Sequence, residues 1–159
     1  MQLLGLTAAA SQLLIGCVQA PQRPTDASQQ YWSGRLALHI EAEPAQSFNA
    51  GFELTGSAQA GMLTLHSPLG NTLAELRWTA HHAQLSNGTE QRQAGTLEQL
   101  LRELTGTDIP VQALFAWLQG QDMPAAGWQA DLSRLAEGRL LATRHSPAPP
   151  ATLRLILER

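Results

Sequence analysis

The sequence is poor in the residues that build disulfide frameworks and nucleic-acid grooves. Its 159 residues include one cysteine, Cys17, so no disulfide can form within the chain. The ten basic residues are all arginine, they form no cluster, and the formal net charge is −3. Because nucleic-acid binding needs clustered positive charge, we expect no nucleic-acid partner. A polybasic patch for anionic lipid headgroups is excluded for the same reason.

Motifs for catalysis and metal binding are also missing. The sequence contains no G-x-S-x-G nucleophile elbow, and a Ser-x-x-Lys pair is impossible without lysine. His81 and His82 are adjacent, so in a strand they would point to opposite faces, and the other three histidines lie in separate segments. No further cysteine or clustered carboxylate completes a ligand set. We therefore expect no metal site and no serine nucleophile.

The first 16 residues carry no charged side chain and contain a short apolar run. This run cannot span a bilayer, which takes about 20 apolar residues, but it fits the core of an export signal. Leu14-Ile15-Gly16-Cys17 matches the lipobox of bacterial lipoprotein signals, in which small residues admit a peptidase and the thiol accepts a diacylglycerol. The sequence predicts a signal peptide over residues 1–16 and an acylated Cys17. The alternative is a buried apolar helix with a free core cysteine.

The segment that follows Cys17 is rich in Pro, Gln, Ser and Thr and has little to bury. Such a composition stays flexible, so residues 17–30 are predicted to be a tether and residues 31–159 a single folded domain. Val18, rather than Asp, follows the cysteine. In bacteria that sort lipoproteins by this position, a residue other than Asp implies the outer membrane.

From Trp32 onward, apolar and polar residues alternate, which is typical of strands with one buried face. The pattern runs through WSGRLALHIE, SFNAGFELTG, GMLTLHS and NTLAELRW, and Asn87-Gly88 predicts a further tight hairpin turn. Weaker patterns in GWQADLSRL, GRLLATRH and TLRLILER predict three more strands, and the proline-rich HSPAPPAT is a turn. We expect consecutive antiparallel strands in a single curved sheet.

At Thr96 the spacing of apolar residues changes from every second residue, as in a strand, to the spacing of a helix. Thr96 itself is a residue that can cap a helix. Gly106 is placed where a left-handed residue ends this helix. A second helix is predicted to open at Pro110 and to close at Gly120. The expected fold is therefore mostly β with α, with two short amphipathic helices packed on the concave side of the sheet.

Three segments resemble the LolB family of lipoprotein receptors. The most specific is ELTGTDIPVQALFAWLQG, residues 103–120, where Leu-Thr-Gly, Ile-Pro and Trp-Leu-x-Gly fall in order. LTLHSPLGNTLAELRW, residues 63–78, is the second, and the opening strand from Trp32 to Ile40 is a looser third. The chain departs from the family pattern in its last third, which is short and has a proline-rich turn at residues 145–151 in place of a longer hairpin.

The resemblance implies a half-open β-barrel whose helical lid covers an apolar cavity, without enzymatic activity or cofactor. It implies a monomeric outer-membrane receptor that accepts triacylated lipoproteins from the periplasmic carrier LolA and inserts them into the membrane. The residues leave open a structural or assembly-factor lipoprotein that holds a protein partner at the outer membrane. A lipid-anchored hydrolase is disfavoured because no catalytic residues can be assembled.

The resemblance also assigns two candidate sites. The Pro68-Leu69-Gly70 turn is implicated in membrane delivery, with Leu69 dipping into the bilayer, although an exposed loop leucine is also ordinary. Inward-facing apolar residues are expected to line the acyl-chain cavity, with a filled core as the alternative for each. These residues are Leu36, Leu38, Ile40, Phe48, Phe52, Leu54, Leu63, Leu65, Leu76, Trp78, Leu101, Leu104, Leu114, Phe115 and Leu118.

Overall fold

The computed structural model describes residues 30–159, so the predicted signal peptide, Cys17 and nearly all of the predicted tether lie outside it. Alternating sequence segments form the strands of one antiparallel sheet. The strands are β1 (Tyr31–Ile40), β2 (Gln46–Gly56), β3 (Gly61–His66), β4 (Thr72–Thr79), β5 (His82–Ser86), β6 (Gln91–Ala94), β7 (Trp128–Asp131), β8 (Arg139–Arg144) and β9 (Ala151–Leu157).

The strand order across the sheet is β6-β5-β4-β3-β2-β1-β9-β8-β7. The last long strand, β9, therefore returns to pair with the first, while β6 and β7 remain as two separate edges. Two helices pack against the concave face of this sheet. The predicted fold class, a single curved antiparallel sheet forming a half-open barrel with a helical cover, is confirmed.

Backbone hydrogen bonds and a glycine with positive φ define the turn between β3 and β4. The Gly70 N–H donates to the Ser67 carbonyl at 2.9 Å, and the Ser67 N–H donates to the Asn71 carbonyl at 2.8 Å. Gly70 has φ 84°, whereas Leu69 lies in the ordinary negative-φ region. These features define a type I turn through Pro68 and Leu69 that ends in a left-handed glycine.

The hairpin between β5 and β6 lies where the sequence predicts it, but its turn type differs. Asn87 begins a four-residue connection, and its side-chain oxygen accepts hydrogen bonds from the backbone N–H groups of Thr89 and Glu90. A two-residue Asn-Gly turn needs positive φ at both residues, and only Gly88 has it. The prediction of a tight Asn87-Gly88 turn was therefore wrong in detail, because the asparagine side chain caps a longer loop.

The helices are α1 (Leu97–Thr105) and α2 (Val111–Leu118). Thr96 caps α1 by accepting a hydrogen bond from the Gln99 N–H at 3.1 Å, and Gly106 ends it with φ 70°. Pro110 immediately precedes α2, one position earlier than expected. No helix in the described range is long and apolar enough to cross a bilayer.

The connection between the two helices is fixed to the closing strands. The indole N–H of Trp128 donates to the Asp108 carbonyl at 2.9 Å. The buried guanidinium of Arg144 lies 5.9 Å from the centre of the Trp128 ring and donates to the Pro149 carbonyl at 3.0 Å. These contacts hold the lid at the start of β7 and the end of β8.

Candidate functional site

A cavity of about 580 Å³ lies between the helices and the concave face of the sheet. This volume is within the range of small-molecule sites, roughly 300–1,000 Å³. The polar residues that contribute to its lining are Gln46, Ser47, Asn87 and Thr105, and none of the lining residues is charged. The remaining lining is aliphatic or aromatic, so the cavity suits an apolar ligand.

Every residue that the sequence suggested as cavity lining borders this cavity. The strands contribute Leu36, Leu38, Ile40, Phe48, Phe52, Leu54, Leu63, Leu65, Leu76 and Trp78, and the helices contribute Leu101, Leu104, Leu114, Phe115 and Leu118. The period-two pattern explains the strand residues, because alternate side chains share the concave face. The helical period also predicts that Leu97 and Leu100 face the concave side of the sheet. Leu97 lines the cavity, whereas Leu100 is fully buried and does not line it.

Other lining residues were missed by sequence reasoning. Leu153 and Leu155 on β9 belong to the wall because β9 pairs with β1, a long-range pairing that local alternation does not reveal. Ile109 enters from the connection between the helices, where the pattern is too short to assign a face. The alternation in TLRLILER was the available signal for β9.

Aromatic rings close one end of the cavity. The ring of Phe115 on α2 meets that of Trp32 edge-on, with centroids 5.7 Å apart, and that of Trp78 at 6.4 Å. The indole N–H of Trp78 also donates to the Ser57 carbonyl at 2.9 Å. These contacts fix α2 against the start of β1 and the end of β4.

The opposite end of the cavity is its mouth. Phe48 and Leu73 line the cavity there, yet they are 41% and 40% exposed. The polar residues Gln46, Ser47 and Asn87 lie at the same strand ends, next to the β1–β2 and β5–β6 turns. An apolar interior with a polar rim at one end allows a ligand's tail to enter while its polar part stays in water.

Leu69 is 88% exposed at the tip of the β3–β4 turn. This turn lies at the same end of the sheet as the mouth, because β3 ends and β4 begins there, as β1 ends and β2 begins. Leu69 does not line the cavity, but Leu73, four residues later, does. The turn therefore places an exposed apolar side chain beside the opening.

Charged groups with perturbed pKa values lie on the exterior. A hydrogen bond from Arg77 to Glu75 raises the pKa of Arg77, and one from Arg134 lowers the pKa of Glu137. Ser133 lowers the pKa of the Asp131 carboxyl by hydrogen bonding to it. Across residues 30–159, no three His, Cys, Asp or Glu side chains come together as metal ligands. None of these three charged groups lines the apolar cavity.

The chain is similar to known proteins over most of its length. Residues 28–147 match the family model described as Outer membrane lipoprotein LolB. A protein of Bordetella petrii is 31% identical, with 94% of this chain and 89% of the relative covered. A Vibrio cholerae protein is 31% identical over 82% of this chain and 66% of the relative, and one of Neisseria meningitidis is 32% identical over 72% and 61%. All three are named Outer-membrane lipoprotein LolB.

Proposed function

The chain belongs to the LolB family of outer-membrane lipoproteins, and we propose that it is the receptor that completes lipoprotein localisation. It accepts triacylated lipoproteins from the periplasmic carrier LolA and inserts them into the outer membrane. The observation that carries this proposal is the uncharged cavity of about 580 Å³, open at one end, which suits fatty acyl chains.

The binding energy comes from burial of methylene groups. Each methylene removed from water contributes about 0.8 kcal/mol, so a long acyl chain gains several kcal/mol even when part of it stays outside. No covalent bond or nucleotide is needed, and release into a bilayer restores an equally apolar environment. Transfer then runs from the carrier to the receptor to the membrane according to relative affinity.

The proposed anchor places the mouth near the destination. With Cys17 acylated as the new N-terminus, residues 17–30 connect the lipid to β1. Fourteen residues span at most about 50 Å even when fully extended. The proposed anchor therefore keeps the domain beside the periplasmic face of the outer membrane.

Transfer from the carrier tests the proposal directly. Purified LolA loaded with a triacylated lipoprotein is mixed with the tagged receptor in the absence of nucleotide, and cargo recovered with the tag is measured. We expect the cargo to move to the receptor, because the acyl chains gain a more favourable cavity. A cargo that remains on LolA contradicts the proposal, as does equal recovery of a cargo whose lipidated cysteine is replaced by serine.

Filling the cavity tests whether the acyl chains occupy it. Ala74 on β4 lines the cavity, whereas Ala37 on β1 lies on the opposite face, between two lining leucines. Ala74→Phe places a ring where methylenes would bind, so affinity for a tripalmitoylated peptide should fall about tenfold or more. Affinity is measured by displacement of an apolar fluorophore.

Ala37→Phe is the matched control and should leave this affinity unchanged, with thermal unfolding of both variants recorded. A folded Ala74→Phe variant with wild-type affinity would place the acyl chains elsewhere. If the wild-type protein itself shows no displacement, the partner-holding alternative gains support instead.

A further inference from the structure

The first half of β2 has a free edge. β2 pairs with β1 from Gln46 onward, but its pairing with β3 begins only at Gly51. Residues 46–50 therefore have a neighbouring strand on one side alone, and 46–49 are exposed. The β1–β2 hairpin extends past the β3–β4 hairpin by this length.

Hydrogen-bond alternation identifies which backbone groups face the free side. The Gly56 N–H donates to the Gln30 carbonyl, so even-numbered residues of β2 direct their backbone groups to β1. The Ser57 N–H donates to the Ala60 carbonyl, so odd-numbered residues face the β3 side. Ser47 and Asn49 thus present two N–H and two C=O groups, and no other backbone group in residues 30–159 pairs with them.

This free edge borders the cavity mouth. Gln46, Ser47 and Phe48 all line the cavity, and Phe48 is half-exposed at the opening. The other two edges, β6 and β7, contribute no lining residue. Among the free strand edges within residues 30–159, the β2 segment is therefore the one that carries cavity-lining residues at the mouth, where a ligand's polar part would leave.

We infer that this edge binds the first residues of the cargo polypeptide as an added β-strand. The inference rests on the proposed function, in which the cargo's acylated N-terminal cysteine is held at the mouth. The peptide that follows this cysteine carries backbone donors and acceptors, and pairing with Ser47 and Asn49 satisfies them. The unpaired segment of five residues spans about 17 Å, which is long enough for the first few residues of the cargo to pair with it.

Backbone pairing would place little restriction on the cargo sequence. Strand addition derives its affinity from main-chain hydrogen bonds, which are the same for every sequence except at proline. Ser47 and Asn49 are small and uncharged, so they impose little selection on the side chains of the added strand. Once the acyl chains are bound, the peptide meets the edge at an effective concentration in the millimolar range.

Proline substitution tests the inference without disturbing the β1–β2 ladder. Asn49→Pro removes an N–H that faces the free side, where proline is tolerated in an edge strand. Two ligands are compared by fluorophore displacement on the full chain: a tripalmitoylated hexapeptide and tripalmitoylated cysteine without further peptide. Affinity for the lipopeptide should fall about two- to tenfold, and affinity for the lipidated cysteine should not change.

Gln93→Pro provides the matched control. Gln93 lies on the β6 edge, and the Asn87–Glu90 bond places its N–H on the outer side of that strand. This variant should bind both ligands like the wild type. N-methylation of alternate peptide bonds in the lipopeptide gives a second measurement that needs no variant. It should weaken binding of the lipopeptide to the wild type, because the methyl groups replace the N–H groups that would donate to the Ser47 and Asn49 carbonyls.

The outcomes separate this inference from the proposed function. If both ligands bind but neither Asn49→Pro nor N-methylation distinguishes them, the free edge does not hold the peptide and the cavity proposal stands. If the wild type binds neither ligand, the proposed function and the edge inference fail together. The added strand is supported if lipopeptide binding is weakened by Asn49→Pro and by N-methylation of the peptide, but not by Gln93→Pro.

Discussion

Replacing Leu69 with glutamate is expected to block delivery of lipoproteins to the membrane while leaving the loading of the cavity intact. Leu69 is 88% exposed and does not line the cavity, so the change leaves the acyl site unaltered. At the bilayer, however, the leucine side chain gains roughly 1.5–3 kcal/mol on burial. The glutamate side chain does not make this gain. Moving its charged carboxylate into an apolar region costs further free energy. Incorporation of cargo into liposomes, measured by flotation, should fall tenfold or more.

Ile156→Glu is the control for this prediction. Ile156 is 55% exposed on β9 and lies outside the cavity lining, away from the β3–β4 turn. The Ile156→Glu substitution introduces the same charge in place of an exposed aliphatic residue, so delivery should be unaffected. Leu69→Met should also deliver cargo normally, since it keeps an apolar side chain at the tip. Normal incorporation by Leu69→Glu would show that Leu69 is an ordinary exposed loop residue.

The local part of this picture is predictable from the sequence. Pro68 and Gly70 flank Leu69 and predict a turn tip, because proline fixes φ and glycine accepts positive φ. Period-two alternation likewise predicts which residues of β1 to β4 share a face. Neither pattern predicts where the turn lies relative to the cavity mouth. That position depends on strand pairing across the sheet.

Long-range pairing also explains what the sequence could not supply. The return of β9 to β1 brings Leu153 and Leu155 into the wall, although they lie more than 110 residues from their partners. The five-residue extension of β2 beyond β3 arises from the register at Gly51, not from any local signal. Alternation of apolar and polar residues predicts which face of the sheet each side chain occupies. It does not predict which strand pairs with which, or in what register.

A filled core and a cavity have the same hydrophobic pattern, so only the arrangement of side chains distinguishes them. The sequence has three phenylalanines and four tryptophans. Trp32, Trp78 and Phe115 gather at one end, where their rings close the cavity. Toward the mouth the lining is mostly aliphatic, with the ring of Phe48 half-exposed at the opening. Composition alone does not reveal where these rings lie.

Cys17→Ala is expected to abolish acylation and release the protein from the outer membrane. Cys17 is the only thiol in the chain, so no other residue can accept a thioether-linked diacylglycerol. Labelled palmitate should no longer be incorporated, and the variant should leave the outer-membrane fraction of the host on a density gradient.

Val18→Asp is the matched control for anchoring, because it alters the neighbouring residue and keeps the thiol. It should incorporate palmitate normally, and in a host that sorts lipoproteins by this position it should move to the inner membrane. A wild-type protein that incorporates no palmitate would instead favour the buried-helix interpretation of residues 1–16, in which Cys17 is a free thiol. Because the proposed anchor would hold the mouth beside the bilayer, its loss should also slow delivery even when the cavity still loads. The anchor and the cavity can thus be separated by measuring loading and incorporation on the same variant.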